Sequence, residues 1–367
     1  MSGGVDSSVA AALLKNQGYD VIGAYLQLWD HSQANLGRFG GRCCSWIDPN
    51  DARRVCDRLG VPYHVMNAQD LFKDKVVDYL IHEYLQNRTP NPCVQCNNQI
   101  KFNFLFQKAD ELGCDFLATG HYAQVVQDTT SGFAFLKKAV DLQRDQSYFL
   151  FGLTQDALRR TILPLGNLPK TMVRKLAEGF DLAVVNKPDS QEICFVDDDQ
   201  CISFIENRSA PSLRPAGLIR TSDGNTIGEH EGLHRYTIGK KKGLQFKEKE
   251  YQNFLVLGFD NKSQTLIVGP EENLYHRQAL ASGVNWISPI NELNTLVCKA
   301  RIRPDHEEAS CRVTVFENGR VQVQFDEPQR AMAPGQAIVF YNGDEILGGG
   351  FIDSTLESLE AIEGHSV

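Results

Sequence analysis

Several things are missing from this chain of 367 residues, and each absence narrows what it can be. It has no apolar run approaching the ~18 residues of a membrane-crossing helix, and no basic stretch leading into a short apolar core of the kind that directs export. These two gaps point to a cytosolic protein with no membrane partner. There is no internal repeat and no low-complexity segment. Net positive charge is also lacking: the formal balance is −9, a poor match to a polyanion such as nucleic acid. No Gly-Lys-Ser/Thr follows any glycine loop, so the lysine and the Mg²⁺-binding hydroxyl of a Walker loop are missing and kinase-type transfer is disfavoured. Finally, only one Cys-x-x-Cys is present, where a four-thiolate zinc site usually needs two.

What is present reads as globular protein, with 42% hydrophobic and 23% charged residues. The length suffices for two or three domains, each with its own core. The ten cysteines are expected to be reduced, as cytosolic thiols are. Cys56, Cys114, Cys298 and Cys311 stand among apolar neighbours and read as small core hydrophobes. Cys43, Cys44, Cys93, Cys96, Cys194 and Cys201 do not. Charge is uneven: residues 201–270 carry ten Lys/Arg against seven Asp/Glu, so a locally basic stretch sits on an acidic protein.

From residue 5 to about 205 the pattern alternates. Helical spacing is expected over 5–17, 49–59, 70–86, 97–113 and 169–179, with β-rich runs at 19–29, 61–67 and 115–120. Such alternation predicts a parallel sheet covered by helices, with ligands beyond the carboxyl ends of its strands. After about residue 208, Gly and Pro punctuate short alternating runs such as CRVTVFENGRVQVQFDE. This is all-β material, expected as one small module over 208–272 and a barrel over 273–367. The tail ESLEAIEGHSV is expected to be loose.

Two stretches carry the chemistry. In SGGVDSS (2–8) the glycines let backbone N–H groups approach a ligand, and the helix that follows offers its positive end to phosphate. A tight turn with a capping Ser or Asp is the plainer reading, and Asp6 is either that cap or an organiser of nucleotide and Mg²⁺. In NRTPNPCVQCNNQIKF (87–102) the prolines hold an extended loop and Asn97 can cap the next helix. Cys96 then precedes a helix N-terminus, which favours thiolate. Cys194 lies in the polar loop NKPDSQEICFVDDD (186–199). These thiols could serve zinc, could be structural, or could pass sulfur, one carrying a persulfide and the other resolving it as a disulfide. Sulfur chemistry joins them to the glycine loop. Replacing a carbonyl oxygen by sulfur needs that oxygen to leave, and adenylation converts it into AMP.

SGGVDSS resembles the pyrophosphate loop of the N-type ATP pyrophosphatases, which split ATP into AMP and pyrophosphate while adenylating a substrate oxygen. That superfamily feeds the loop from a strand, which is missing before Met1 here; the resemblance implies a natural start further upstream or a shortened chain. With ATGHYA (118–123), RDQSYFL (144–150), SQEICFV (190–196), HRYTIGKKKGL (234–244) and PGQAIVFY (334–341) in this order, the whole chain resembles the tRNA-specific 2-thiouridylase family. The fold implied is α/β: an N-terminal Rossmann-like parallel sheet over 1–207, apparently without its first strand, then a β-rich tRNA-contacting module over 208–272 and a C-terminal β-barrel over 273–367. The activity implied is ATP-dependent adenylation at C2 of the wobble uridine 34 of tRNA, followed by sulfur transfer to give 2-thiouridine, AMP and pyrophosphate.

The resemblance makes Cys96 the nucleophile and Cys194 the persulfide carrier, joined as a disulfide in one catalytic state. It places ATP, with Mg²⁺, on Ser2, Gly3, Gly4, Val5, Asp6, Ser7, Leu26 and Gly120. The target base falls to Asn91, Pro92 and Cys93, and tRNA to His121, Arg144, Asp145, Gln146, Arg303, Pro304 and Gln336. A cysteine desulfurase or a sulfur-relay protein would be the persulfide donor.

This chain departs from the family pattern in three places. Cys93 stands where some relatives carry Asp, an acid or base for which a thiol is a weaker substitute. Arg144 replaces a frequent Lys, and Pro304 a Tyr. Because related thiolases hold an iron–sulfur cluster on three cysteines, Cys93, Cys96 and Cys194 are an alternative ligand set. An amidotransferase or ligase of the same superfamily would share the loop but need no thiol pair. The segment 30–46 is expected to move near the site, with no role given to Cys43 or Cys44. A flipped wobble base is accessible in a single-stranded loop. Lys240, Lys241, Lys242, Lys247 and Lys249 are either phosphate contacts or a solvated turn.

Overall fold

A computed structural model describes residues 1–29, 47–189, 193–197, 199–209, 216–246, 248–289 and 295–355. Segment 30–46 with Cys43 and Cys44, residues 190–192 of SQEICFV, Lys247 and the tail 357–367 lie outside the described residues. The backbone divides into two units, Met1–Val77 with Pro92–Cys201 and Gly343–Leu347, and Asp78–Asn91 with Ile202–Asn342 and Gly348–Val367.

The first unit opens with helix α1 (Val5–Asn16), whose Val5, Val9, Ala10 and Ala12 are buried. Alanine and leucine favour helix there, and Gly18, at φ +91°, ends it where a left-handed residue is needed. Met1 precedes it, its ammonium donating to the Ala24 carbonyl at 2.5 Å and lowered, chiefly by burial, to about 6. Strand β1 (Gly23–Gln27), helix α2 (Ile47–Leu59) and strand β2 (Tyr63–Asn67) follow, with β1 and β2 parallel from Gly23 opposite Tyr63 to Gln27 opposite Asn67. A side chain at Gly23 would strike the Cys56 sulfur at 2.3 Å, so the buried thiol fills the space the glycine leaves.

Next comes a long helical stretch, α3 (Gln69–Phe72), a wider i→i+5 turn over Lys73–Val77, and α4 (Asp78–Leu85), which belongs to the second unit. Back in the first unit, α5 (Pro92–Gln95) runs through a second wide segment, Cys96–Phe104, into α6 (Leu105–Glu111). The expected start at Asn97 is therefore corrected. Proline pre-sets the first helical position, so the helix begins at Pro92 and Cys96 lies inside it, 7% exposed. Asn97 caps nothing, and its buried Oδ1 has no partner among the described residues.

The unit continues with β3 (Leu117–Ala118), the antiparallel hairpin β4 (Ala123–Gln127) and β5 (Ala134–Lys138), α7 (Gln155–Arg159), β6 (Thr161–Ile162) and α8 (Lys170–Gly179), while α9 (Cys201–Ser209) belongs from Ile202 onward to the second unit. Strands β3 and β6 are parallel. Glu345 and Ile346 pair with Lys137 and Leu136 of β5. Helices α1 and α8 share a core of Val9, Ala10, Val173, Ala177, Leu182 and Val184. The fold class is the expected α/β one, with its parallel ladders two strands wide and shorter than the β-rich runs: Tyr19 is exposed, and Gly120 begins a close approach.

In the second unit a four-stranded sheet comes first, β7 (Gly217–Thr221), β8 (Thr226–His230), β9 (Leu255–Asp260) and β10 (Thr265–Gly269), in the order β8-β7-β10-β9. It encloses Ile219, Leu233, Val256, Leu266 and Val268. Six longer strands follow: β11 (Tyr275–Trp286), β12 (Thr295–Arg301), β13 (Ala309–Val315), β14 (Val321–Arg330), β15 (Ala337–Asn342) and β16 (Glu345–Thr355). Their order β11-β14-β13-β12-β15-β16 closes through a β11–β16 pairing into a barrel. Alternate residues such as Val321, Val323 and Phe325 turn inward, as a period of two dictates.

Candidate nucleotide and thiol site

The glycine loop is shaped for close approach. Gly3, at φ +72°, could not carry a side chain: its Cβ would lie 2.3 Å from the Asp48 carbonyl oxygen. Ser2 and Ser7 close the loop, the Ser2 N–H donating to the Ser7 hydroxyl at 3.1 Å. Gly4 is extended just before α1 and receives the Ser8 hydroxyl at 2.7 Å. No side chain caps α1 at Gly4, so its first N–H groups form the positive dipole end on which an anion is favoured. Leu26 lies in β1 opposite Met66.

Asp6 is not the cap. It accepts the Tyr122 hydroxyl at 2.7 Å and the Lys170 ammonium at 2.7 and 2.9 Å. Burial first, and then the charge and hydrogen bond of Asp6, push the Tyr122 phenol well above its usual range. Lys170 also pairs with Asp189 at 2.8 Å, and Asp189 collects Arg174 at 3.1 Å and Arg144 at 3.2 Å. Burial opposes ionisation of Asp189, but the hydrogen bond from Lys170 and the three cations outweigh it and hold the carboxyl below its normal value. Nearby, Lys187 donates to the Gly3 carbonyl at 2.9 Å and to Asp51 at 2.8 Å, and pairs with the buried Asp48. Although burial disfavours its charge, those two carboxylates raise its pKa.

The ATGHYA turn joins this loop to the thiol helix. A Cβ on Gly120 would sit 2.7 Å from the Ser7 nitrogen, so the turn lies directly on the start of α1. His121 next to it stacks on Phe102, six residues after Cys96, with ring centroids 6.0 Å apart, and shares a 2.8 Å hydrogen bond with Thr119. Burial, and secondarily the charge of Lys101, holds His121 neutral, well below its usual pKa.

Cys194 is half-buried. Its neighbour Phe195 packs edge-on against Phe72 at 5.3 Å and stacks with Trp29 at 6.5 Å. Phe72 ends α3, and the wide turn following it packs on α5, the helix leading to Cys96. Phe195, the neighbour of Cys194, and α5, the helix leading to Cys96, thus pack on the same helical stretch of the first unit. Among the described residues no group of three or more His, Cys, Asp or Glu is arranged to hold a metal ion, and Cys93, Cys96 and Cys194 form no such group. Asp6 holds the Lys170 ammonium on both of its oxygens.

Other expected residues have local employment. Asp145 accepts the Ala139 N–H at 3.0 Å and the Ser147 hydroxyl at 2.8 Å, and Gln146 accepts the Tyr122 N–H at 3.0 Å. Both shape the turn that presents Arg144. Pro92 and Cys93 belong to the first unit and Asn91 ends a segment of the second. In the second unit Arg303 donates to the Arg330 carbonyl at 3.1 Å beside Pro304, and Gln336 keeps a buried Oε1 with no partner among the described residues. Lys240, Lys241, Lys242 and Lys249 are exposed.

Sequence reading missed Lys170, Asp189, Tyr122 and Lys187. The usable signal was charge in otherwise apolar or motif-bound settings, since a buried charge must be paired.

Family models match residues 1–198 (tRNA methyl transferase HUP domain), 202–270 (tRNA methyl transferase PRC-barrel domain) and 276–352 (Aminomethyltransferase beta-barrel domain). The chain is 44% identical over 364 residues to the tRNA-specific 2-thiouridylase MnmA of Geotalea uraniireducens (strain Rf4), covering 99% of this chain and 96% of that one. The chain belongs to the tRNA-specific 2-thiouridylase family. Another 2-thiouridylase, from Geobacter metallireducens, is 45% identical over 359 residues, 97% of this chain and 96% of that one. A third, from Clostridioides difficile (strain 630), is 42% identical over 356 residues, 97% of each. A solved NMN synthetase from Francisella tularensis is a much weaker likeness, 18% identical with a TM-score of 0.31 over 57% of this chain and 74% of that one. No helix among the described residues is long and apolar enough to cross a membrane.

Proposed function

We propose that this 2-thiouridylase family member is an ATP-dependent tRNA uridine 2-sulfurtransferase. One observation carries the reading: a single turn touches both halves of the chemistry, Gly120 lying on the nucleotide loop and His121 on the helix of Cys96. The fit to ATP rests on the glycine cradle at Gly3 and Gly120 and on the uncapped start of α1. Ser2, Gly3, Gly4, Val5, Asp6, Ser7 and Leu26 line the nucleotide, and Mg²⁺ enters with its phosphates.

In the first step the uridine O2 displaces pyrophosphate from ATP and becomes an AMP ester, a good leaving group. The terminal sulfur of a persulfide on Cys194 then attacks C2 and AMP departs. The Cys96 thiolate attacks the Cys194 sulfur, the S–S bond to the base breaks, and 2-thiouridine leaves behind a Cys96–Cys194 disulfide. Two electrons from an external dithiol restore both thiols. A cysteine desulfurase or relay protein reloads Cys194. The neutral His121 is a contact for the flipped nucleotide rather than a cation for phosphate, and Asn91, Pro92 and Cys93 receive the base. Arg144, Arg303, Pro304 and Gln336, with the turns held by Asp145 and Gln146, meet the anticodon arm. The corresponding domains are a catalytic one over 1–207, a small tRNA-contacting module over 208–272 and a barrel over 273–367. The methyl transfer named in the family-model descriptions would need neither a nucleotide-cleaving loop nor a second thiol.

The test is nucleoside analysis of tRNA incubated with ATP and a persulfide source. Parent protein should yield 2-thiouridine, while Cys96→Ser and Cys194→Ser should not. Full yield from both variants would overturn the thiol relay, and pyrophosphate release without 2-thiouridine from the parent protein would turn the assignment toward an amidotransferase or ligase.

A further inference from the structure

The charged cluster behind the glycine loop has no place in the steps above, yet its centre is the limb that leads to Cys194. Asp189 stands five residues before that cysteine, a tether of at most ~18 Å of extended chain. Its carboxylate, 16% exposed, holds Lys170 at 2.8 Å, and the same ammonium grips Asp6 of the loop at 2.7 Å. It also holds Arg144, the proposed tRNA contact, at 3.2 Å and Arg174 at 3.1 Å. Two residues earlier Lys187 donates to the Gly3 carbonyl, and one residue after Cys194, Phe195 is buried against Phe72 and Trp29. Described residues on both sides of Cys194 are thus anchored, and those on its amino side are bonded to the nucleotide loop itself.

We propose that Asp189 is a positioning residue that couples adenylation to sulfur delivery, by tying the limb of Cys194, through Lys170, to Asp6 and, directly, to Arg144. It touches no reacting atom. With the carboxylate in place, the carrier keeps a fixed register against the loop in which the AMP ester forms. Without its charge, Lys170 remains on Asp6 and Arg144 is released, so the nucleotide side is kept while the carrier limb loses its hold. The inference rests on the assignment of Cys194 as sulfur carrier.

The experiment follows pyrophosphate and 2-thiouridine in parallel, with intact protein, tRNA, ATP and inorganic polysulfide as sulfur source. Asp189→Asn, which keeps the shape and removes the charge, is expected at saturating tRNA to release pyrophosphate at near the parent rate. Its 2-thiouridine per pyrophosphate should fall about tenfold or more, the scale on which small misplacements act. Asp189→Glu, which restores the charge, should recover most of the ratio. A proportional loss of both products in Asp189→Asn, with the ratio unchanged, would overturn the proposal and leave Asp189 a structural residue. So would a fall in ratio that Asp189→Glu does not relieve. Cys194→Ser run alongside separates the two claims: retained thiolation there overturns the carrier assignment and this proposal together, whereas an inactive Cys194→Ser with an unaltered Asp189→Asn ratio overturns the proposal alone.

Discussion

His121 and Phe102 are stacked, ring on ring, 6.0 Å apart and 26° from parallel. The contact joins the turn over the glycine loop to the helix of Cys96, and it is made by a histidine that burial keeps uncharged. In the unfolded chain the same side chain titrates near 6.5.

That difference sets a pH dependence. The folded pKa is the lower one, so above about 6.5 both states are neutral and the group costs nothing. As pH falls below 6.5 the unfolded chain takes up a proton that the fold refuses, and stability declines by up to ~1.4 kcal/mol per pH unit until the folded pKa is reached. His121→Asn should remove this component. Urea denaturation at pH 7.5 and 5.5 checks it: the parent should lose more stability than the variant over that interval.

Gly120→Ala places a methyl group 2.7 Å from the Ser7 nitrogen, against backbone that cannot swing aside. The expected cost is about 1–3 kcal/mol, with loss of ATP-dependent pyrophosphate release out of proportion to the fall in Tm. Thermal melts combined with a pyrophosphate assay read both.

Lys187→Met leaves Asp48, 2% exposed at its side chain, and Asp51 without their shared cation. Removing one partner of a buried ion pair costs up to about 3–5 kcal/mol, so the variant should unfold at lower urea. Lys187→Met combined with Asp48→Asn should recover part of the loss, a coupling that a double-mutant cycle measures.

Cys93→Ser tests the cluster alternative. The three cysteines are not grouped as metal ligands among the described residues, so the variant should still form 2-thiouridine when assayed anaerobically with persulfide. Abolished thiolation together with loss of a visible iron–sulfur absorption band would restore the cluster mechanism.

How far these features could be read from sequence depended on how local their causes were. The closed barrel was legible because CRVTV and VQVQFD alternate with a period of two, and that period survives into buried Cys311, Val313, Val321, Val323 and Phe325. The glycine loop was legible because SGGVDSS holds its own conformation. The pairing of Asp6 with Lys170 could not be read, because the two lie 164 residues apart and no local rule connects them. The helix of Cys96 was placed five residues late because Asn97 is a good cap by type, while Pro92 is a better first residue by geometry. Asp189 went unnoticed for the opposite reason to Cys194: a carboxylate in a polar stretch attracts no attention until three cations converge on it.

Joining β11 to β16 closes the six strands on one another, and only where β16 begins do Glu345 and Ile346 take the β4–β5 hairpin as a further addition among the described residues. Borders for an added strand therefore remain on β8 and β9 of the four-stranded sheet, whereas the closed run of the barrel has to be greeted by side chains and by the turns between strands.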